Sequence, residues 1–523
     1  MSPLLNQRLE LLAQPALLGS LAACMHGIEK ENLRIDPQGA LSIKPHPPAL
    51  GSALTHPTIT TDYSEALMEL VTPVIPSVDQ LFTELDDIHR FVHSQLGDEL
   101  FWTESMPCRL PEKDEDIPIG WYGTSNVGML KHVYRRGLAV RYGKPMQCIA
   151  GIHYNFSLPA QVWEAMRQQE GDARNAQDYQ SERYVALIRN FRRYAWILMY
   201  LFGASPALCA SFLRGREHQL QRLGEHTLYL PYATSLRMSD LGYNNEAQAG
   251  LDVCYNSLES YIVSMEKATS IPFPRYAELG THDADGEWQQ LNTNLLQIEN
   301  EFYSSIRPKR VTNSGEKPAH ALDERGVEYV EVRCMDLDPF VPLGIEESTA
   351  YFLDSFLLYC ALSESPAMTE AQCLVSDDNF ALAVKRGREP GLQLNRDGEP
   401  VTLTAWGEDL LKGIETCARL LDEAQQTSAH SDSLQLQREK LRDPQLTPSA
   451  RVLTAMGEHG DSFFHFALAQ SQKHGEHFLN RPLTAEQQQA FAEMASQSIA
   501  DQKALEAADE IDFDAYVAWY MSQ

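Results

Sequence analysis

Apolar residues recur at helical spacing in several segments of this chain, and these segments predict helices. Residues 77–96 carry a continuous apolar stripe, and Ser77 with Gln80 forms a capping box at its start. Residues 183–202 are largely apolar and predict a second helix, while the stretch 350–363 predicts a buried one.

Helical patterns dominate the chain from about residue 405 onward. Thr447-Pro448 and the pair Thr484…Gln487 are helix start signals in this region. No internal repeat is visible. We therefore predict a mixed α+β body over residues 1–365 and a mainly helical C-terminal part over residues 366–523 that packs on it.

The segment HGIEKENLRID, residues 26–36, has the alternation of a β-strand but carries acids among its strand formers. Side chains i and i+2 of a strand point to the same face, so Glu29 and Glu31 would lie on one face, roughly 7 Å apart. Two like charges side by side are unfavourable unless another group offsets them. The strand is the first indication of a polar site.

A second strand is predicted over residues 146–159, MQCIAGIHYNFSLP, with one apolar face. Its other face presents Gln147, Ile149, Gly151, His153, Asn155 and Ser157. A solvent-facing side is one interpretation, although such faces usually carry Lys, Glu and Thr. Because a glycine within a strand often marks the close approach of a ligand, Ile149, Gly151 and Asn155 are candidate substrate contacts.

Two further segments carry acids in the same way. Residues 327–339 predict a strand that bears Glu331, and residues 64–73 predict one that bears Glu69, with Asp62 just before it. The segment 64–73 could instead be helical, since its two glutamates are four residues apart. Its Val-Thr-Pro ending favours a strand.

Four strands with polar faces, three of which carry acids, point to bound cations, because buried carboxylates cost several kcal/mol each unless they are paired or bind a metal. The alternative for any one of them is a surface glutamate. Oxygen ligands suit Mg²⁺ or Mn²⁺ better than zinc, and a nearby His tolerates Mn²⁺. Phosphoryl transfer is the chemistry that most often needs several such ions.

The usual glycine-rich nucleotide motif is absent. Residues 123–131 resemble a P-loop in glycine spacing but lack its Lys-Ser/Thr ending. A nucleotide would then be held by cations on the sheet, assisted by Arg333 and the basic segment 306–310. That basic segment could equally be a solvated loop.

Charge and cysteine usage narrow the class of protein. A net charge of −29 over 523 residues repels phosphate backbones and anionic lipid, so we expect neither a nucleic-acid nor a membrane partner. No apolar run is long enough to span a bilayer. The nine cysteines are scattered without a CxxC pair, which fits a reducing, cytoplasmic environment and argues against zinc or a disulfide framework.

Seven long blocks stand out between residue 27 and about residue 360: ITTDYSEALMELVTP, YGTSNVGMLKHVYRRGL, MQCIAGIHYNFSLP, LFGASPALC, YLPYATSLRMSDLGY, LQIENEFYSSIRPKR and VEYVEVRCMDLDP. Together they resemble bacterial glutamate–cysteine ligase, also called γ-glutamylcysteine synthetase. The helical remainder has the length expected for the family but a less distinctive sequence.

The resemblance implies a glutamine-synthetase-like α+β fold, in which an antiparallel sheet forms a funnel with helices outside it. It implies ATP-dependent ligation of the L-glutamate γ-carboxyl to the L-cysteine amine through γ-glutamyl phosphate, giving γ-glutamylcysteine, ADP and phosphate, the first step of glutathione biosynthesis. It also implies about two or three Mg²⁺ ions, with Mn²⁺ as a substitute, a monomer, and feedback inhibition by glutathione.

The resemblance also assigns site residues. The magnesium ligands would be Glu29, Glu31, Asp62, Glu69, His153 and Glu331. Arg237 matches an arginine at the glutamate and phosphate end, and Arg333 matches one near the ATP phosphates. The residues around cysteine would be Tyr63, Tyr134, Leu138, Gln147, Tyr243 and Tyr303. Asp62 is also the candidate acceptor of the amine proton, and Tyr63 stands where Phe was expected, so its hydroxyl would alter the pocket's polarity.

Three rival functions remain open at this point: a glutamate ligase with another amine acceptor, a phosphagen-type kinase, and a catalytically silent metal- or amino-acid-binding protein. ADP formation with a panel of acceptors would separate the enzymes. A silent binding protein does not need two phosphate-handling arginines, which argues against the third.

Overall fold

The computed structural model describes residues 2–241, 248, 251 and 253–523. Its helices in the described ranges, numbered α1 to α19, are Pro3–Leu12, Pro15–Leu21, Val78–Gln95, Asn126–Tyr142, Ala160–Glu170, Ala176–Tyr194, Trp196–Phe202, Ala210–Leu213, Leu258–Ser270, Pro274–Leu279, Pro318–Arg325, Glu347–Leu362, Glu370–Arg386, Leu403–Gln425, Ala429–Arg442, Pro448–Glu458, Phe463–Leu479, Ala485–Ala508 and Phe513–Ser522. The strands β1 to β12 are Met25–Ile35, Ile59–Thr61, Leu67–Val71, Leu100–Phe101, Ile152–Ser157, Ala207–Cys209, Gln221–Leu223, Thr227–Tyr229, Ile306–Lys309, Tyr329–Met335, Gln393–Arg396 and Glu399–Thr402.

A seven-stranded sheet with the order β2-β3-β1-β5-β10-β9 forms the centre of the protein, and β4 pairs with the end of β1. The strand pairings are antiparallel. The predicted α+β class with an antiparallel sheet is therefore confirmed. The predicted acid-bearing strands at 26–36, 64–73 and 327–339 correspond to β1, β3 and β10.

The two faces of this sheet differ in chemistry because side chains alternate along each strand. One face carries fully buried apolar residues such as Ile28, Phe156 and Val332. Helices α3, α6 and α12 contact strands of this sheet. The other face carries the acids of β1, β3 and β10, and these acids do not belong to the apolar core.

The predicted helices are present, with one interruption. Helix α3 begins after Ser77, whose hydroxyl accepts a hydrogen bond from the Gln80 amide at 3.3 Å, and the buried stretch 350–363 lies in α12. The segment 183–202 is divided, because α6 ends at Tyr194 and α7 begins at Trp196.

The strand predicted over residues 146–159 is wrong in its first half. Pro145–Cys148 forms a short 3₁₀ turn, and β5 begins only at Ile152. Proline is favoured in the first turn of a helical segment, and this local preference outweighs the apolar alternation of the following residues. Gln147 and Ile149 therefore do not lie on the strand face that carries His153.

The C-terminal part is mainly helical, as predicted, apart from the β11–β12 hairpin. Thr447 caps α16, and Thr484 with Gln487 forms a reciprocal capping box at α18. One hydrophobic core extends through both parts of the chain, so the boundary at residue 365 stays a prediction. All nine cysteines have free thiols. In the described ranges, no helix combines the length and apolar character that a membrane crossing requires.

Candidate active site

The register of the sheet collects the predicted acids on one face. Glu69 of β3 lies opposite Glu31 of β1, and Glu29 lies opposite His153 of β5. Glu331 of β10 lies opposite Asn155 of β5. Four strands thus bring together residues that are as many as 302 positions apart in the sequence, from 29 to 331.

The centre of this acid face is a tight group of ligand atoms. One ligand atom from each of Glu29, Glu69 and His153 lies within 4.8 Å of the other two. His153 Nδ1 is 3.2 Å from Glu29 Oε2, and its Nε2 is 4.0 Å from Glu31 Oε1. These donors are the types that hold a divalent cation.

Part of the acid face carries unbalanced negative charge. Burial, together with the charges of Glu29, Asp62 and Glu31, raises the pKa of Glu69 well above its usual value. Burial and the neighbouring Asp62 raise the pKa of Glu31 to about 8. Both carboxylates would regain their ordinary acidity if a cation were bound beside them.

Glu331 differs from these two acids because it already has cationic partners. Its oxygens lie 3.0 Å from Lys309 Nζ and 2.7 Å from Arg333 Nη1. Burial by itself would raise its pKa, but Lys309 and Arg333 outweigh burial and hold the pKa well below the usual range. The position of Lys309 follows from the pairing of β9 with β10, which no local pattern reveals.

Arg237 reaches the same face from a short 3₁₀ turn, Leu236–Met238. Its Nη2 donates a hydrogen bond to the Arg333 carbonyl at 3.0 Å. A Cβ atom on Gly151 would overlap with that nitrogen. The group that approaches this glycine closely is therefore the guanidinium of Arg237, and Gly151 N donates to Glu31 Oε2 at 2.7 Å.

A cavity of about 280 Å³ opens beside the acid face. The sequence-predicted residues that line it are Glu31, Asp62, Tyr63, Tyr134, Leu138, Gln147, His153, Arg237, Tyr303 and Arg333. The remaining predicted residues in the described ranges, which are not among its lining, are Glu29, Glu69, Ile149, Gly151, Asn155 and Glu331. Tyr243 lies outside the described residues.

The part of the cavity wall formed by Leu138 and the tyrosine rings is less polar than the acid face. Tyr134 and Leu138 contribute to it from α4, one helical turn apart. The hydroxyl of Tyr63 is buried and has no hydrogen-bond partner among the described residues. Tyr303 closes the cavity from the segment before β9, with its hydroxyl 2.9 Å from Met238 Sδ.

Several lining residues were missed by sequence reasoning. Arg135 lines the cavity and follows Tyr134 directly in the block YGTSNVGMLKHVYRRGL. The predicted substrate contact at Tyr134 was the signal that could have identified Arg135. Arg141 and Glu301 pair at 3.0 Å with side chains that are 0% exposed. They join two segments that are distant in sequence, so no spacing rule predicts the pair.

Comparison with known proteins places the whole chain in one group. The family model for glutamate–cysteine ligase matches residues 9–383. The glutamate–cysteine ligase of Pseudomonas paraeruginosa (strain DSM 24068 / PA7) is 59% identical over 522 residues, which cover 100% of this chain and 98% of that protein. The enzyme of the same name from Pseudomonas putida (strain W619) is 58% identical over 522 residues, covering 100% and 99%.

Solved structures agree with this grouping. The crystal structure of glutamate–cysteine ligase from Francisella tularensis in complex with AMP has a TM-score of 0.90 and 35% identity, over 96% of this chain and 98% of that one. The bifunctional glutathione synthetase from Pasteurella multocida has a TM-score of 0.70 and 25% identity, over 90% of this chain and 54% of that one.

These matches define a carboxylate–amine ligase. The chain belongs to the glutamate–cysteine ligase family. The resemblance found in the sequence is thereby confirmed: this is an enzyme that joins L-glutamate to L-cysteine in the first step of glutathione synthesis.

Proposed function

We propose that the acid face of β1, β3, β5 and β10 is the magnesium site of this ligase. Its ligands are drawn from Glu29, Glu31, Asp62, Glu69, His153 and Glu331. The observation that carries the proposal is the group of Glu29, Glu69 and His153, whose ligand atoms lie within 4.8 Å of one another. About two or three Mg²⁺ ions, or Mn²⁺ in their place, fit this oxygen-rich set with its single imidazole.

The bound ions would supply neutralisation of the ATP phosphoryl oxygens. The protein's own contribution is to orient the ligands. The side-chain amide of Asn155 donates to Glu29 Oε1 at 2.8 Å, and the backbone amide of Gly151 donates to Glu31 Oε2 at 2.7 Å. Such hydrogen bonds to ligating carboxylates fix their direction and strengthen a metal site.

Arg237 and Arg333 are the groups for the glutamate carboxylates and the transferred phosphoryl group. Both line the cavity beside the acid face. Guanidinium groups bind carboxylate and phosphate through paired hydrogen bonds. Arg333 also holds Glu331 at 2.7 Å, so it connects the phosphoryl end of the cavity with the proposed metal site.

The reaction needs the γ-carboxylate of glutamate to become a better electrophile. Attack of a carboxylate oxygen on the ATP γ-phosphorus breaks the bond to ADP and gives γ-glutamyl phosphate. The cysteine amine then attacks the acyl carbon, phosphate leaves, and one amine proton is lost. Arginine charges stabilise both steps, and Asp62, which lines the cavity, is the proposed proton acceptor.

The less polar part of the cavity wall would face the bound cysteine. Its proposed contacts are Tyr63, Tyr134, Leu138, Gln147, Tyr243 and Tyr303, with Ile149, Gly151 and Asn155 as further substrate contacts. The side chain of cysteine is small and weakly polar, which suits the apolar wall that Leu138 and the tyrosine rings provide.

ATP would occupy a second cavity of about 310 Å³ at the edge of the sheet. This cavity shares Asn300 and Arg307 with the first one, and Lys309 lines it beside Glu331. Its remaining wall contains Tyr261 and several aliphatic side chains. An apolar recess next to cationic groups fits a purine ring followed by phosphates.

The experiment is phosphate release from ATP and Mg²⁺ in the presence of L-glutamate, with and without L-cysteine. We expect rapid phosphate release only when both amino acids are present, with one γ-glutamylcysteine formed for each phosphate. Equal phosphate release with glutamate alone, or phosphate release with cysteine that yields no γ-glutamylcysteine, would contradict the assignment of cysteine as acceptor.

We also propose that the protein acts in the cytoplasm as a monomer and is inhibited by glutathione. The nine free thiols, seven of them in buried residues, suit a reducing compartment. Glutathione contains the γ-glutamylcysteine unit, so it can compete for the same cavity. Inhibition that rises with glutamate concentration would contradict such competition.

A further inference from the structure

Arg237 is held from behind by a buried acid, Asp336. Asp336 follows β10 directly, one residue after Met335. Its Oδ1 lies 3.6 Å from Arg237 Nη1, and the two side chains are 0% and 2% exposed. A charged pair this far from solvent interacts much more strongly than one at the surface.

The carboxylate of Asp336 is itself fixed by two further segments. Its Oδ2 accepts a hydrogen bond from the Ala204 amide at 2.9 Å, and its Oδ1 accepts one from the Ser235 hydroxyl at 3.0 Å. Ser235 also caps the 3₁₀ turn that carries Arg237, since its hydroxyl accepts from the Met238 amide at 3.3 Å. Asp336 therefore joins the end of β10 to the turn that presents Arg237.

The front of the guanidinium has equally little freedom. Arg237 Nη2 donates to the Arg333 carbonyl at 3.0 Å and rests against Gly151. An arginine side chain has many rotamers, yet here it is confined from both sides. This confinement costs conformational entropy, which suggests that a particular direction of the guanidinium matters for what it binds.

We propose that Asp336 is a positioning residue for Arg237, which it holds against Gly151 in the direction needed to bind an anionic substrate group. The inference rests on the role proposed above for Arg237. Asp336 does not line the cavity, so it acts only through the arginine. Its removal should weaken glutamate binding or turnover while the metal site keeps its ligands.

The test uses the full-length enzyme and four variants. Asp336→Asn keeps the size and one acceptor oxygen but removes the charge. Arg237→Lys removes the paired donors, and the double variant combines the two changes. Asp338→Asn is the matched control, because this half-buried acid of the same segment accepts a hydrogen bond from the Phe340 amide at 2.9 Å and has no ion pair with Arg237 in the described part of the chain.

The measured quantities are kcat and KM for glutamate at saturating ATP and cysteine, together with the melting temperature. Asp336→Asn should lower kcat/KM for glutamate by about ten- to a hundredfold, the range that misplacement of a binding group produces. The double variant should be no worse than Arg237→Lys within about twofold, because changes that act through one group are not additive. Asp338→Asn should stay within about twofold of the wild type.

Two results would overturn the inference: wild-type constants for Asp336→Asn, or a double-variant loss equal to the product of the single losses. Wild-type kinetics for Arg237→Lys would refute the proposed role of Arg237 and this inference together. If Arg237→Lys is impaired and Asp336→Asn is normal, only the inference about Asp336 fails. If Asp336→Asn does not fold, Ser235→Ala replaces it and should change the same constants in the same direction, and unchanged constants would overturn the inference.

Discussion

At the scale of single residues, the acids of the sheet face fall into two electrostatic kinds. Glu331 is neutralised by Lys309 and Arg333, whereas burial and neighbouring acids raise the pKa of Glu69 well above its usual value. An acid with cationic partners, such as Glu331, stabilises the metal-free fold. An acid among other acids, such as Glu69, destabilises the fold until a cation is present.

This difference predicts opposite stability effects in metal-free enzyme. Glu69→Gln should leave the melting temperature in EDTA unchanged or raise it, because it removes a carboxyl group whose ionised form is disfavoured by burial and by the neighbouring acids. Glu331→Gln should lower the free energy of unfolding by about 1–3 kcal/mol, since it leaves two partly exposed cations without their partner. Both variants should lose ligation in Mg²⁺. Equal shifts in the same direction would show that the two acids are electrostatically alike.

A second prediction concerns acceptor choice and Tyr63. L-2-Aminobutyrate should replace L-cysteine, because an ethyl group and CH₂SH are similar in size and both weakly polar. L-Serine should be poorer in kcat/KM by about tenfold or more, since burying a hydroxyl without a partner costs about 1–3 kcal/mol. The comparison is a kcat/KM measurement with the three acceptors.

The buried Tyr63 hydroxyl, which has no partner in the described structure, is a group that could reverse that ranking. If serine equals 2-aminobutyrate, the apolar-pocket argument fails. Tyr63→Phe would then be expected to remove serine activity selectively. If serine is instead a poorer acceptor than 2-aminobutyrate, Tyr63→Phe should leave the ranking of the acceptors unchanged.

At the scale of secondary-structure elements, the backbone just before β5 lies directly against the guanidinium of Arg237, the arginine proposed to bind substrate. Gly151 has no side chain because the Arg237 guanidinium occupies that position. Gly27, on the neighbouring strand β1, faces Asn155, and a Cβ there would make an ordinary contact at 3.5 Å. The two glycines lie in the same sheet region but differ in what they accommodate.

Gly151→Ala should therefore impair the enzyme, and Gly27→Ala should not. The new methyl group at 151 would displace Arg237, so we expect kcat/KM for glutamate to fall by about tenfold or more. Gly27→Ala is the control and should stay within about twofold. Kinetics and melting temperatures of both variants provide the check, and similar behaviour of the two would refute the close-approach explanation.

The elements also explain how far the sequence could predict the site. β1, β3 and β10 were recognisable because their acids alternate with apolar residues, and the family blocks supplied the ligand candidates. The start of β5 was not recognisable from the sequence, because the turn at Pro145–Cys148 has the same apolar alternation as a strand. The partner of Glu331 depends on the pairing of β9 with β10, which is a non-local contact.

At the scale of the whole molecule, the C-terminal helices support the cavity from a distance. Tyr516 and Val517 of α19 pack with Leu130 and Val133 of α4, the helix that presents Tyr134. The backbone amide of Asn126 at the start of α4 donates a hydrogen bond to Asp509 Oδ2 at 2.6 Å. Helix α4 thus takes its position from residues that are nearly four hundred positions later, which no local pattern could reveal.

The stability of the whole molecule should depend on pH in a way that magnesium changes. Burial and Asp62 raise the pKa of Glu31 from 4.5 to about 8, so the metal-free folded state holds a proton that the unfolded state has lost. The free energy of unfolding of the metal-free protein should therefore fall as pH rises from about 5 to about 8. Glu331, with a lowered pKa, contributes a slope only below about pH 4.5.

Saturating Mg²⁺ should flatten this decline, because a cation favours the ionised form of Glu31. Melting temperatures at several pH values in EDTA and in Mg²⁺ measure the effect. The difference between the two series isolates the acid face from other titrating groups such as His430. Burial would lower the pKa of His430, but the charge of Asp354 and the hydrogen bond to Asp422 outweigh burial and raise it. Identical slopes in the two series would contradict the prediction.

The measurement that tests the central claim most directly is a count of bound Mn²⁺ by electron paramagnetic resonance. The wild-type enzyme should bind more than one Mn²⁺ per chain, and Glu69→Gln should bind fewer. The control is Glu316→Gln, which alters a partly exposed Glu316–His320–Glu324 group outside the acid face and should leave the count unchanged. If Glu69→Gln binds as many ions as the wild type while Glu316→Gln loses one, the cations are bound at the Glu316–His320–Glu324 group and the acid face is not the metal site.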